Sequence, residues 1–519
     1  MFDSICAPNG ALTSKIYSVF AEADGVCRPL SVYTTLSSMA NDQHPLPGDL
    51  AAVYDEIPLG VYVAKSYFSL LTSDGEVKIS AEFHGGADGI EVVDKDFCRD
   101  GNRVTFCVSP GEAVMIKIDG LFSNCLRIIC NKPENADGKI NKDAKVEKIE
   151  FAPGYYTADN CDYIVRDEHG FPVINCLTDG TEVHICDGAV VNAAFVLSGL
   201  HGVRIYGGGV VSTVEQCYGA EDGFTAEPMF GPLKKFTPPS VFIKTDCSDI
   251  SIEGITLSSN FRGIVIRNSE DIHIDSVKIF TNCINADGLN MMNARRVSAK
   301  NCFIHSQDDC VAVFTSCDSI LYLGDGGCPD PVPVSEDIEI SHCTLVTACR
   351  PFCIGGHATG ATDPHDSVRR IFVHDCDLIN YRYYDVPDIP RVKKWSGFMR
   401  ILSQSEQLIS DIRFINIRCR KRVDYEGQPI HIEVRGGSDA SYTEHGGYRI
   451  ENVLFENVSF QAKTDIDLPS ALYSTADGAD SDRCIDGVVF CNVTFGGEPM
   501  TGGEDFLEIS GNVKNITVI

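Results

Sequence analysis

Two short acidic motifs carry the most pointed chemistry in the chain, Asn285-Ala286-Asp287-Gly288 and Gln307-Asp308-Asp309-Cys310. Carboxyl groups gathered in one cleft cannot all ionise freely, because like charges raise at least one pKa. One residue type then supplies both an acid and a base, which is what hydrolysis of a glycosidic bond requires. Taken singly, both motifs are also ordinary turn sequences. What sets them apart is that Asp287 and Asp308 stand 21 residues apart. Further along, Gly355-Gly356-His357 joins glycines that admit close approach of a ligand to a ring that can donate to a hydroxyl or carboxylate. A basic run with Arg391, Lys393 and Lys394 leads into Trp395, the only tryptophan, and then Gly397-Phe398-Met399-Arg400-Ile401-Leu402. The Trp395 face suits stacking on a sugar, and equally a buried cap.

The separation of 21 matters because the second part of the chain repeats itself. Alternating apolar tripeptides recur, among them Val203-Arg204-Ile205, Ile250-Ser251-Ile252, Ile272-His273-Ile274, Val297-Ser298-Ala299 and Val488-Val489-Phe490. The tightest copies are spaced by 22 and 25 residues, a solenoid period that is too short for a propeller blade. Short strands without helical periodicity predict a parallel β-helix, each coil a few short strands wide. Residues one coil apart then stack at roughly 4.8 Å. The spacing therefore predicts Asp287 and Asp308 on neighbouring coils of one outer face. Asp309 would point inward from a regular strand and joins them only at a strand end or bulge. Asn301, Asn416, Asn457 and Asn492 recur at the turns, where small polar side chains tolerate left-handed backbone and can ladder between coils.

Ahead of the repeats, the segments 60–64, 77–83, 114–118 and 126–129 read as short strands, so residues 1–130 are expected to form a β-sandwich. The polar, turn-rich stretch 131–145 reads as a linker, and 146–519 as the β-helix. The whole chain is predicted to be all-β.

The 519 residues are 44% hydrophobic and 22% charged, enough apolar material for a large core. A formal net charge of −30 argues against nucleic acid and anionic membrane as partners. No apolar run approaches the roughly 20 residues of a membrane span. The 23 cysteines, an odd number, and the lack of an export signal in this sequence predict free thiols in a reducing cytoplasm, with a trimmed signal as the alternative. Cys343, Cys349 and Cys353, with His342 nearby, match no zinc spacing and are expected to pack inside the coils. No metal and no cofactor are expected. Self-association is left open.

These motifs together resemble the polygalacturonases. The order is Asn-x-Asp-Gly, Asp-Asp-Cys one coil later, Gly-His-x-x-Gly, then Gly-x-x-Arg-Ile and the strand Asp411-Ile412-Arg413-Phe414-Ile415-Asn416-Ile417. The resemblance runs from about residue 146 to the end. The same clan contains the dextranases and isopullulanases, and an N-terminal β-sandwich is similar to that branch. The resemblance implies a right-handed parallel β-helix and an inverting glycoside hydrolase. It implies Asp308 as general acid, Asp287 and Asp309 as the pair that activates water, and His357 as their support. Arg400 matches the substrate-binding arginine, with Asn285, Gln307, Lys394 and Trp395 as further candidate substrate contacts.

The chain departs from the polygalacturonase pattern where Leu402 replaces the lysine of Arg-Ile-Lys, Ala358 the second glycine of Gly-His-Gly, and Gln307 the glycine before Asp-Asp. Losing one cation at a carboxylate subsite costs on the order of 1.5–3 kcal/mol. With the acidic chain, this leans towards a neutral, dextran- or α-glucan-like oligosaccharide or polysaccharide. The alternatives are an oligogalacturonide hydrolase, served by a lysine of the 391–394 run, and a catalytically silent carbohydrate-binding β-helix.

Overall fold

The computed structural model describes residues 2–37, 64–119, 121–133, 147–214, 237–281, 286–306, 308–315, 334–347, 349–356, 367–380, 397–404, 406–421, 428–435, 446–461, 469–474, 482–503 and 505–519. Among them the regular elements are strands, with no helix. Two N-terminal sheets face each other. One runs Phe2–Ser4, Ala64–Ser73, Leu121–Asn131, Ala113–Ile118 and Ile90–Val92, with Tyr33–Ser37 also on Ala64–Ser73. The other runs Val26–Leu30, Tyr17–Ala23, Val77–Phe83, Arg103–Val108 and Cys98–Asp100. Alternation in Val77–Phe83 sends Val77, Ile79, Ala81 and Phe83 inward, where they meet Tyr67, Leu71, Ile116 and Ile128 in one core.

The second face of the first sheet is apolar as well. Phe68, Leu70, Met115 and Ile129 pack on Val190, Val210, Phe280, Phe303 and Val346 of the later chain. A strand buried on both faces has no reason to alternate, which explains why every residue from Leu126 to Cys130 is buried. Arg127, fully buried, crosses the same seam: its Nε donates to His305 Nδ1 at 3.0 Å and its guanidinium lies 4.9 Å from the Phe280 ring centre.

From Lys148 onward the strands stack in parallel as a β-helix, with three strand columns per coil. Interior side chains form continuous files. One file runs Ile205, Ile252, Ile274, Ala299, Ile340, Val373, Phe414, Phe455 and Phe490, each in register with the next. These are the third residues of the predicted tripeptides. The Phe414, Phe455 and Phe490 rings stack at 5.1 and 5.3 Å. The expected turn ladder is present. Asn416, Asn457 and Asn492 all have φ between 52° and 55°, and each amide donates to the coil before, to Asp375, Asn416 and Asn457 in turn.

The cysteine expectation holds only in part. Cys302, Cys343 and Cys376 are buried inside the coils. Cys353 alternates with the core residues Phe352 and Ile354 and stands on the outer side, in register with Ala312 and Arg400. Cys349 belongs to the acidic corner described next. The segment 134–146 lies outside the described residues.

Candidate active site

The second strand column carries the N-terminal sandwich, and the third is built from Ile264–Asp275, Leu289–Lys300, Val311–Phe314, Phe352–Gly355, Met399–Ser403 and Ile430–Val434, with outward side chains such as Asn290, Ala312, Arg400 and His431 themselves buried. Asp287, Asp308 and Asp309 occupy the corner between the two columns. Asp308 and Asp309 lie in the turn from Phe303–Ser306 to Val311–Phe314, and Asp287 just ahead of Leu289 in the coil below.

The register differs from the expected one. Leu289 pairs with Val311, so the coil closes in 22 residues and Asp287 stacks on Asp309 instead of Asp308. The Gly288 amide donates to the Asp309 carbonyl at 2.9 Å. Asp309 also escapes the inward direction, because it precedes the strand and Cys310 is the residue that enters the core. Gly288 is required by this packing: a Cβ there would lie 2.7 Å from the Cys310 carbonyl oxygen.

A file of hydroxyls fixes the corner. Thr281, Ser306 and Thr347 stack in register or immediately beyond it. Ser306 Oγ donates to the Asp308 carbonyl at 2.7 Å and Thr347 Oγ1 bonds the same carbonyl. Thr281 Oγ1 donates to the Ala286 carbonyl at 2.5 Å.

The register brings in residues that the motifs did not reveal. Arg262 lies one coil below Asp287, and Arg350 one coil above Asp309. The file thus reads Arg262, Asp287, Asp309, Arg350. Arg350 Nη1 is 3.2 Å from Asp309 Oδ2, and Arg262 Nε is 3.9 Å from Asp287 Oδ2. Asn290 Nδ2 also bonds Asp287 Oδ2. Asp308 is less buried than its neighbours, and its Oδ1 accepts from the Asp309 amide at 3.0 Å. Single ligand atoms of Asp308, Asp309 and Cys349 all lie within 4.8 Å of one another.

Burial dominates the electrostatics. It pushes Asp287 up to about 8, against the pull of Arg262 and with added repulsion from Asp308 and Asp309. It pushes Asp309 up to about 6, against Arg350 and with repulsion from Asp308. The anticipated mutual repulsion is present but secondary to desolvation. Burial also raises the Cys349 thiol well above its usual range.

Arg400 stands on the outer face between Cys353 and His431. It is 4% exposed, and its buried Nε has no hydrogen-bond partner among the described residues. Leu402, two residues on, sits beside Glu433 of the next coil. Burial would raise Glu433, but bonds from His431 and Arg435 outweigh it and hold it at about 2. Asn285, Gln307, His357, Lys394 and Trp395 lie outside the described residues. The sequence signal that could have found Arg262 and Arg350 is the coil register itself, which needs the true coil lengths of 25, 22 and 41 residues at these positions.

The fold and site define the class as a parallel β-helix protein with paired, buried aspartates at a corner between two strand columns. Within that class the chain belongs to the Glycosyl hydrolases family 28, whose profile matches residues 181–488. A curated relative, the Probable exopolygalacturonase B of Aspergillus terreus (strain NIH 2624 / FGSC A1156), is 24% identical over 271 residues, 49% of this chain and 53% of the relative. The chain thus spans about half the length of that relative. Among solved structures, Dex49A from Penicillium minioluteum is similar at 12% identity and a TM-score of 0.48, with 96% of this chain and 92% of that one covered. The Family 28 exopolygalacturonase of Yersinia enterocolitica aligns at 12% identity and a TM-score of 0.40, covering 86% and 96%.

Proposed function

We propose that the chain is an inverting glycoside hydrolase acting on α-linked oligosaccharides that carry uronic acid, in the manner of the exopolygalacturonase it resembles. The observation that carries the substrate class is Arg400. Its buried Nε has no hydrogen-bond partner among the described residues, and the carboxylates of Glu433 and Asp309 attract it without a direct ion pair. A buried guanidinium held this way is costly, and a bound substrate carboxylate would offset that cost. Arg400 accordingly replaces the lysine run 391–394 as the group argued to meet the uronate.

In the proposed reaction Asp308, the least buried of the three aspartates, protonates the glycosidic oxygen. Asp309, ionised above about 6 beside Arg350, takes a proton from water that Asp287 helps to position. The water oxygen bonds to the anomeric carbon as the leaving sugar departs with the proton from Asp308. Protons in such a cluster belong to the group rather than to one member. The proton held on Asp287 up to about 8 therefore keeps the cluster supplied at neutral pH.

A neutral α-glucan is the second reading. Leu402 favours it, since a lysine is missing where polygalacturonases have one. Glu433 beside it would also repel a second carboxylate. The test is reducing-end release from oligogalacturonides and from neutral α-gluco-oligosaccharides, with NMR of the first anomer formed. Release from the uronate pool with a β-anomer supports the proposal. Release from the neutral pool alone would replace uronate by glucan, and a retained α-anomer would overturn inversion.

A further inference from the structure

A second group of chemically active side chains lies at the start of the β-helix, outside the acidic corner. Glu150 and His184 are in register on the first two coils, on the strands Lys148–Phe151 and Glu182–Ile185. Both face outward, because Ile149, Phe151, Val183 and Ile185 take the inward positions. Cys186 follows directly, and its amide donates to the Phe151 carbonyl at 3.0 Å. All three donors are therefore fixed to the same pair of coils.

Their side chains converge on one atom. His184 Nδ1 is 3.6 Å from Cys186 Sγ and 3.6 Å from Glu150 Oε2. The nitrogen-to-oxygen separation is too long for a good hydrogen bond. It is close to what a shared metal would impose. Zinc sits at about 2.3 Å from sulfur, 2.0–2.1 Å from nitrogen and 2.0–2.2 Å from oxygen, so tetrahedral angles place its ligand atoms roughly 3.3–3.6 Å apart. The three ligand atoms also lie within 4.8 Å of one another. The imidazole is held in plane: it stacks on Tyr206 of the next coil at 4.8 Å and 12°, and the Arg204 guanidinium lies 4.1 Å from the Tyr206 ring centre. Glu150 is 67% exposed in its side chain, so its carboxylate can swing to close the last few tenths of an ångström.

We propose that Glu150, His184 and Cys186 form a binding site for a divalent zinc-class cation. The donors are one sulfur, one nitrogen and one oxygen, a borderline-soft set that suits zinc over magnesium or calcium. Three protein ligands leave a fourth position for water. The site ties the first coil to the second, next to the docked sandwich, where Thr72 bonds Asp187 at 2.7 Å. Its role is a clamp on the open end of the solenoid. Binding converts the thiol to a thiolate and releases its proton to solvent. The His342, His374 and Asp375 group is a poorer candidate, because both His374 ring nitrogens already sit within 3.1 Å of Glu339 and Asp375 carboxylates.

The test titrates the full-length, chelator-treated protein with Co²⁺ under reducing conditions and records its absorption. A thiolate-to-cobalt charge-transfer band with visible bands of tetrahedral intensity, saturating at one equivalent and displaced by Zn²⁺, is the expected result. Both features should be lost in Cys186→Ser and in His184→Asn, and kept in Cys176→Ser, which removes an exposed thiol outside the site. Circular dichroism of each variant separates loss of the site from loss of the fold. Absence of the band in the wild type, or its survival in folded Cys186→Ser, overturns the proposal. Neither outcome bears on the hydrolase reading, since no catalytic readout is used.

Discussion

Arg262, Asp287, Asp309 and Arg350 form one vertical file, and their charges decide how the corner titrates. Removing a cation next to a carboxyl raises its pKa. The activity of the wild type should rise through about 6, as Asp309 ionises, and fall through about 8, as Asp287 does. In Arg350→Gln the rising limb should move to higher pH while the falling limb stays, and a kcat/KM profile measured from pH 4 to 9 reads both. Asp308→Asn should lower kcat by about 10²–10⁴-fold with the fold intact, and unchanged turnover would remove Asp308 from the mechanism. If Arg400 meets a uronate, Arg400→Gln should cost about 1.5–3 kcal/mol, or roughly 10–150-fold in kcat/KM on oligogalacturonides. The same substitution should cost much less on any neutral substrate.

The coil is the element that makes this site possible, and its turns are built for repetition. Asn457 sits at φ 54° and links Asn416 to Asn492 through its amide. Asn457→Ala should destabilise the chain by about 1–2 kcal/mol, from left-handed strain and the lost ladder bonds. Asn457→Gly should recover the backbone part. Urea denaturation of the two variants separates the contributions. Thr347 plays the corresponding part at the corner, since it bonds the Asp308 carbonyl and accepts from the Cys349 amide at 2.8 Å. Thr347→Val should therefore lower kcat more than its loss of about 1 kcal/mol in stability would suggest.

Across the whole molecule, buried titratable groups make stability depend on pH in two opposite senses. His305 accepts from Arg127 at Nδ1 and is held neutral, its pKa well below the usual imidazole value through burial first and the Arg127 charge second. A depressed base of this kind favours the folded state above its unfolded pKa, about 6.5, and loses that contribution as pH falls. Asp287 and Asp309 are raised. Their contribution is full below the unfolded carboxyl pKa of about 3.9 and is lost as pH rises through about 6 and 8. Asp287→Asn should therefore be more stable than the wild type at pH 8, with the difference shrinking towards pH 4. His305→Gln should flatten the acid limb, as followed by denaturant midpoints between pH 4 and 9.

The sequence by itself determined the all-β architecture, the solenoid and its turns, because alternation and a period near 22 are local properties that every coil repeats. It also named Asp287, Asp308, Asp309 and Arg400, since their motifs are contiguous. Only the tertiary structure decided which aspartates stack, because a one-residue difference in coil length moves the partner of Asp287 from Asp308 to Asp309. Only it brought Arg262 and Arg350 to the carboxylates, and sent Cys349 and Cys353 outward. Those contacts join residues 22 to 41 positions apart across coils of unequal length. No local pattern encodes that register, and packing of the coils against one another is what fixes it.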